Sequence, residues 1–397
     1  MTFKLLSIAA IGATMMACSN SNTTEISRVE LPGTIDNEAF ADCVESISVM
    51  NLQMDDDWTL AGPLSICLSD NYIYMLDDRR ICLTCLDRQT GEKLSGRIIK
   101  GNGRGEIVSY ETSMFCSDDN ICILDSKKRV LQYDHECKFI DIMHDFSNLN
   151  PNYDVVRLNS GNYAFILRGN DADTASSILL ADKSFNITSW HFNVPQAPTT
   201  FIGGDPCFLD NDTIRLLPLY SNILYTLYGD KEQCTELALP NPITPEITNE
   251  LYAKHDFDAV NNYDDFISRV SGSGRFLTMQ YSVDKECYMS IVDKYTNKAV
   301  SVHIDLRGDF KQASDVVSGL VPWLNILKSD GKYAYARCQN SLLALFLEGH
   351  DDILDARLQK TQAEYHAYLE RNAEYINGLN PDERNAAIVI LKIKLKD

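Results

Sequence analysis

Short apolar runs alternate with acidic or glycine-bearing turns along most of the chain, and helical patterning is confined to a few stretches in the second half. The segments SDNYIYMLDDRRICLTCLD, from Ser69, and SDDNICILDSKKRVLQYD, from Ser117, share one plan: a turn, an apolar strand, an acidic turn and a second strand. Weaker copies begin at Asn159 (NSGNYAFILRGN), Asp210 (DNDTIRLLPLYSNILYTLY), Gly272 (GSGRFLTMQYSVDKECYMSIVD) and Ser329 (SDGKYAYARCQNSLLALFLE). One equivalent position in each, Ile73, Ile121, Tyr163, Ile214, Phe276 and Tyr333, recurs at intervals of 48, 42, 51, 62 and 57 residues. Units of that length hold about four short strands each, as propeller blades do.

An apolar stretch before each turn, such as Leu64 to Leu68 or Trp323 to Leu327, reads as the innermost strand, and Lys93 to Lys100 reads as a fourth. Thr244-Pro245-Glu246 is a helix start, with a capping hydroxyl, Pro in the first turn and an acid near the positive end. It predicts a helical insert from about Pro245 to Ser268, between the fourth and fifth units. Asp351 to Asn377 is rich in helix formers and is followed by Gly378 and Pro381. In AAIVILKIKLKD, Leu391, Ile393 and Leu395 alternate with Lys392, Lys394 and Lys396, which predicts a strand with lysines suited to an exposed edge. Ser46 to Gln53 also reads as a strand, so the two chain ends are expected to complete one blade. The fold class that follows is all-β: a six-bladed β-propeller closed by N- and C-terminal strands, with a helical insert between blades 4 and 5 and a helix before the last strand.

The first residues, MTFKLLSIAAIGATMMAC, carry one charge at Lys4 and an apolar run from Leu5 to Ala13. That run is too short for a transmembrane helix, which needs about 20 residues, and reads as a secretory signal. Cys18 after Met15-Met16-Ala17 resembles a bacterial lipobox, whose chemistry is lipidation of the Cys and cleavage before it. The division expected is a signal peptide over 1–17, a lipidated Cys and flexible tether over 18–43, and the propeller over 44–397. Several acyl chains on one residue anchor a protein to a membrane without spanning it, at about 0.8 kcal/mol per buried methylene. The address expected is the cell envelope, at the outer membrane, with the periplasmic or surface side left open.

Taken together, Cys18, the repeated SDN/SDD units, KGNGRGE (Lys100 to Glu106) and the final NAAIVILKIKLK resemble the six-bladed β-propeller lipoproteins of Bacteroidetes-type cell envelopes, themselves similar to NHL and TolB-like propellers. The resemblance covers about Val44 to Lys396. Family members often carry Gly-x-Gly-x-Gly-Glu here, frequently with Pro in place of Arg104. The resemblance implies the fold and the address, and it brings no assigned activity.

Gly101, Gly103, Arg104, Gly105 and Glu106 suggest a phosphate loop at first sight. Such a loop needs a helix after it, and IVSYETSMFCSDDN is strand-like. The glycines are instead expected to permit positive φ angles as the chain crosses between blades, with Arg104 and Glu106 paired across the turn. The formal charge of -20 without a basic cluster excludes nucleic acid as a partner.

Propellers recognise ligands where equivalent loops converge at a channel mouth. Four residues beyond each repeat marker lie Asp77, Asp125, Leu167, Pro218, Gln280 and Arg337, with Arg79 and Arg168 nearby. Asp77, Arg79, Asp125, Arg168, Gln280 and Arg337 thus form a candidate rim for a polar ligand, a peptide or a glycan. The competing reading is that Asp77 and Asp125 cap their own turns.

No cofactor is called for. The one calcium candidate, Asp171 and Asp173 with Asp182, has Ser176 where an EF-hand needs Gly. MDDDW, from Met54 to Trp58, reads as a charged turn, and His144 beside Asp145 as a surface loop pair. Eleven cysteines remain after Cys18, so at least one is unpaired within the chain, and Cys82 and Cys85 of CLTC face opposite sides of a strand and cannot share a metal. There is no His-Glu-x-x-His pair and no Gly-x-Ser-x-Gly elbow. The function expected is non-catalytic binding of an envelope protein or polar ligand by one propeller face. The alternatives are a hydrolase or lyase at the channel mouth, and a purely structural component.

Overall fold

The computed structural model describes residues 27–54, 64–77, 80–108, 113–146, 152–168, 178–192, 207–210, 212–217, 221–244, 247, 250, 253–254, 265–273, 275–305, 310–329 and 331–396. Cys18, the calcium candidates Asp171 and Asp173, and most of MDDDW lie outside them. The described residues begin with strands β1 (Ser27–Glu30) and β2 (Thr34–Ile35), helix α1 (Asn37–Cys43) and strand β3 (Val44–Val49). Blade one then comprises β4 (Leu64–Leu68), β5 (Tyr72–Asp77), β6 (Cys82–Asp87) and β7 (Lys93–Ile98). Blade two comprises β8 (Ser113–Ser117), β9 (Asn120–Leu124), β10 (Arg129–Tyr133) and β11 (Phe139–Asp145). Blade three comprises β12 (Asn152–Arg157), β13 (Tyr163–Arg168), β14 (Ile178–Ala181) and β15 (Ile187–His191). Blade four comprises β16 (Cys207–Asp210), β17 (Thr213–Leu216), β18 (Ile223–Tyr228) and β19 (Lys231–Ala238), and blade five β20 (Phe266–Ser273), β21 (Phe276–Val283), β22 (Glu286–Asp293) and β23 (Lys298–His303).

Blade six closes the ring. Its strands are β24 (Asn325–Ser329), β25 (Ala334–Gln339), β26 (Ile388–Leu395) and β3, in that order. Lys392 faces Ser48 and Ile393 faces Ile47, so the two chain ends share a sheet as the alternation of both segments requires.

Period-two alternation explains why blades stack. In β5, Ile73 and Met75 join the core toward blade six, whereas Tyr74 and Leu76 join the core toward blade two. Both faces are therefore buried, and each such side chain contributes about 1.5–3 kcal/mol. Further cores of the same kind fill the seams between blades two and three, three and four, and four and five.

Several expectations are corrected. The SLLALF half of the sixth repeat is not a strand but helix α3 (Asn340–Leu347), burying Leu343, Phe346 and Leu347. It is followed by α4 (Ala356–Arg371), α5 (Ala373–Gly378) and α6 (Pro381–Ala386), where one helix was expected. The lysine-bearing β26 is not an edge strand, because β25 and β3 pair with it on both sides. Its lysines find partners on the polar face: Lys392 lies over the Tyr333 ring at 3.8 Å, and Lys394 meets Glu45 at 2.7 Å. The insert expected from Pro245 to Ser268 ends earlier, since Ser268 is in β20. Thr244 does cap Ile247 N–H at 3.3 Å, as its helix-start pattern requires, while most of 245–264 lies outside the described residues.

The segment read as tether up to residue 43 is built into the propeller from Ser27 onward. β1 pairs in parallel with β19 and β2 with β23, giving blades four and five a fifth, outer strand. Ser301 Oγ hydrogen bonds to the Pro32 carbonyl and lies 2.6 Å from Ser290 Oγ and 3.1 Å from the Tyr281 hydroxyl, so a buried polar cluster holds this strap in place. Helix α2 (Ala313–Leu320) packs against α1, and α4 covers the outer edge of blade six, where Thr361 Oγ1 donates to the Ile47 carbonyl at 2.6 Å.

Candidate functional site

The strand bounds give the propeller two unlike ends. At one end the first strand of each blade turns into the second, and the third into the fourth, through short turns such as 118–119, 229–230 and 294–297. At the other end are the strand ends joined by the second-to-third turns and by the crossovers between blades, among them those flanking 99–112, 192–206, 239–265, 304–324 and the helical 340–387. The long connections are anchored at this end, which carries the candidate rim.

The rim residues do not behave alike. Asp77 ends β5 and is buried, and its carboxylate accepts the Arg80 N–H at 2.8 Å. The Asp125 side chain has 0% exposure and accepts from Arg129 three times, from the backbone N–H at 2.9 Å, from Nε at 3.0 Å and from a terminal nitrogen at 2.6 Å. Both aspartates therefore stabilise their own turns, as the competing sequence reading held. Gln280 sits in the middle of β21 opposite Arg269, and its side-chain nitrogen donates to the Pro322 carbonyl at 2.6 Å, tying blade five to the crossover before β24. Arg337, opposite Asn325 at the start of β24, is at the long-connection end like Asp77. Arg168 is placed on β13 opposite Asn152. Its side chain, Arg79 and Pro218 lie outside what is described.

The glycine-rich loop has a different logic from the one its sequence suggests. Gly103 and Gly105 do not have positive φ. Close approach is the constraint at Gly105, where a Cβ would meet the Phe139 ring at 2.3 Å; at Gly101 and Gly103 the nearest atom is the Glu106 carboxylate end, at 2.0 and 3.0 Å, which can swing aside. Arg104 does not pair with Glu106. It reaches Asp141 on β11 at 2.8 Å, while Glu106 accepts the Gly103 N–H at 2.8 Å. Arg129 donates to the Glu106 carbonyl at 3.0 Å and to the Arg104 carbonyl at 3.4 Å, and the Tyr133 hydroxyl donates to the Gly105 carbonyl at 3.2 Å. The loop thus clamps blade one onto blade two around the Asp125–Arg129 pair, and the N–H groups of Gly101, Gly103 and Glu106 are spent within the loop, on the Ile107 carbonyl, the Glu106 carboxylate and the Gly103 carbonyl. Arg129 was invisible to motif reasoning; its only signal was the four-residue spacing from Asp125.

Elsewhere, Asp182 caps its turn through the Ser184 and Asn186 N–H groups at 2.8 and 2.9 Å. His144 and Asp145 are on strand β11 and not in a loop, and the His144 ring packs against Phe146 and Phe185, with centroids 4.3 and 5.3 Å away. Cys82 and Cys85 are both buried free thiols on β6, and burial pushes Cys85 up to about 12. Titratable groups from different blades do meet: Cys67 on β4 and Cys116 on β8, whose sulfurs are 2.8 Å apart near the short-turn end, and His191 on β15 with Glu232 on β19, whose Nδ1 and Oε1 are 3.0 Å apart, with Ser189 Oγ 2.9 Å from the other ring nitrogen. Among the described residues, no group of three or more His, Cys, Asp or Glu is placed to hold a metal ion.

No curated protein matches the sequence. Among solved structures, the chain is similar to a Bacteroides fragilis protein assigned as exported, with a TM-score of 0.64 and 18% identity, over 94% of this chain and 100% of that one. Weaker likenesses are to YCF48 from Cyanidioschyzon merolae (TM-score 0.41, 11% identity, 75% of this chain and 84% of that one) and to BamB from Moraxella catarrhalis (TM-score 0.32, 10% identity, 60% and 61%). The first of these supports the fold, in agreement with the six sheets and the closure by both termini. The model of the DUF5128 family, described as a 6-bladed beta-propeller, matches residues 18–313, and the chain belongs to that family.

Proposed function

We propose that this protein is a lipid-anchored, non-catalytic component of the cell envelope whose long-connection face binds a partner protein or a polar ligand, a peptide or a glycan. The observation that carries the proposal is polarity. The strand ends joined by the long connections are all at one end, and β1 runs parallel to β19 toward that same end, so Ser27, its first residue, is directed to the short-turn end. A lipid on Cys18 is nine residues from Ser27, a reach of at most about 30 Å. The short-turn end then faces the membrane and the long-connection end faces away from it, free to recognise a partner.

Among the described residues, a hydrolase or lyase reading can draw on Cys67 with Cys116 and on His191, which lies 2.9 Å from Ser189 Oγ and 3.0 Å from Glu232, but the latter group sits on the fourth strands of blades three and four, away from the channel. Cys67 has 0% exposure, so no substrate carbon reaches its sulfur in this packing. Asp77 and Asp125 are already engaged within their turns.

The test is site-specific photocrosslinking in native membranes. A photoreactive residue at Val108 or Trp323, both exposed and both at the long-connection end, is expected to trap one discrete partner, and one at Tyr295, exposed at the short-turn end, to trap none. Crosslinks to a discrete partner from Tyr295 alone, or from none of the three, would overturn the reading.

A further inference from the structure

The repeat places two cysteines out of step. Cys67 lies two residues before Ser69 and Cys116 one residue before the equivalent Ser117. Because side chains alternate along a strand, one points forward from blade one and the other backward from blade two. They meet in the same seam: the inner strands β4 and β8 are neighbours, and the two sulfurs are 2.8 Å apart. Less than an ångström of movement separates them from a disulfide, whose S–S bond is about 2.05 Å. Cys67 is fully buried and Cys116 half-buried. Lys328 reaches in from β24 of blade six, and its Nζ is 3.6 Å from the Cys67 sulfur.

We propose that Cys67 and Cys116 are a redox-active dithiol that closes into a disulfide between blades one and two, with Lys328 holding Cys67 as the resolving thiolate. Cys116 is the thiol that solvent reaches. It attacks an acceptor disulfide, forming a mixed disulfide and releasing one acceptor thiol. The Cys67 thiolate then attacks the Cys116 sulfur, the Cys67–Cys116 bond forms, and the second acceptor sulfur leaves and takes up a proton. Two thiols are oxidised and one acceptor disulfide is reduced to two thiols.

The surroundings favour Cys67 as the thiolate and make it the base for Cys116. Burial acts to raise the Cys67 thiol, but the hydrogen bond from Cys116 and the Lys328 ammonium outweigh it and bring it down to about 6. Cys116 moves up, chiefly through that same hydrogen bond and then through burial, so it attacks only as its proton passes by way of the Cys67 sulfur, 2.8 Å away, to the first acceptor sulfur, which leaves as a thiol with Cys67 again a thiolate. Besides Lys328, the titratable groups that interact electrostatically with the pair are Cys122 on β9, on the opposite face of blade two, and Tyr74 on β5, in the pair's own seam. In the same seam, burial raises Cys85 to about 12 and Cys137 to about 11, so those thiols stay protonated and serve as internal controls.

The full chain, reduced and then equilibrated natively with glutathione disulfide, is quenched with a maleimide, digested and read by mass spectrometry. The expected product is a linked pair of peptides carrying Cys67 and Cys116, two hydrogens lighter than their sum, with Cys85 and Cys137 alkylated. Cys67→Ser is expected to hold glutathione on Cys116. Lys328→Met is expected to slow closure about tenfold at neutral pH and to move its rise to higher pH, and Lys328→Arg to restore it. Maleimide on both Cys67 and Cys116 after exhaustive oxidation of the folded wild-type chain would overturn the dithiol. An unchanged closure rate and pH profile in Lys328→Met would overturn the role of Lys328.

Discussion

Replacing Arg129 by Met tests how the glycine-rich loop is held. The Asp125 side chain has 0% exposure and that of Arg129 14%, so the two ends of this ion pair are unequally buried. Removing the guanidinium strands a carboxylate that water cannot reach, and breaking a buried pair in this way costs about 3–5 kcal/mol. The Arg104 and Glu106 carbonyls also lose a donor, but both residues are exposed and water replaces it. Asp125→Asn leaves the charge on the partner that does reach solvent and keeps an oxygen for the Arg129 N–H, so it is expected to cost about half as much. Urea unfolding of the two single variants and the double variant gives the coupling directly, expected at about 2–3 kcal/mol. Hydrogen exchange at Gly101, held by the Ile107 carbonyl at 2.9 Å, is expected to rise in Arg129→Met. An Arg129→Met cost below about 1 kcal/mol, or a cost smaller than that of Asp125→Asn, would refute the reasoning from burial.

Two further outcomes follow from the geometry. Gly105→Ala is expected to destabilise by about 1–3 kcal/mol in urea unfolding, because its Cβ would meet Phe139 Cγ at 2.3 Å, and an unchanged stability would count against it. At Asp293, hydrogen bonds from Arg275, including one of 2.9 Å from Nε, hold the carboxyl below its ordinary range against the opposing effect of burial. The native state therefore binds this proton less readily than the unfolded chain, whose value is about 3.9. The resulting stabilisation is complete above that value and is lost as pH falls through the lower native one. Asp293→Asn should be less stable than wild type at neutral pH and show a shallower acid limb in a pH series of thermal unfolding; an unchanged acid limb would count against it.

The repeat register was readable because it follows physical alternation. Ile73, Ile121, Tyr163, Ile214 and Phe276 all fall at the start of the second strand of a blade, and Tyr333 immediately precedes β25. Ring closure was readable for the same reason, from two terminal segments with matching alternation. What alternation does not show is whether a strand has neighbours: the lysines of β26 announced a polar face, which proved compatible with pairing on both sides. The short apolar run SLLALF fits strand or helix equally, and its burial against the helical region after Glu348 decided the matter. β1 and β2 are too short to register, because their pairing is supplied by blades four and five and not by their own sequence. At the candidate site, Asp77 and Asp125 were legible as turn caps. Arg129 and the Cys67–Cys116 pair were not, because each depends on a contact between blades, and a one-residue difference in parity decides which seam a side chain enters.

The central claim is that the propeller stands on its short-turn end and offers its long-connection end to a partner. Fluorescence energy transfer from a donor at Val108 or at Tyr295 to acceptor lipids, in vesicles carrying the native anchored chain, measures this directly. The two positions are at opposite ends of strands of about 20 Å. The account predicts markedly stronger transfer from Tyr295 than from Val108; equal transfer, or stronger transfer from Val108, would contradict it.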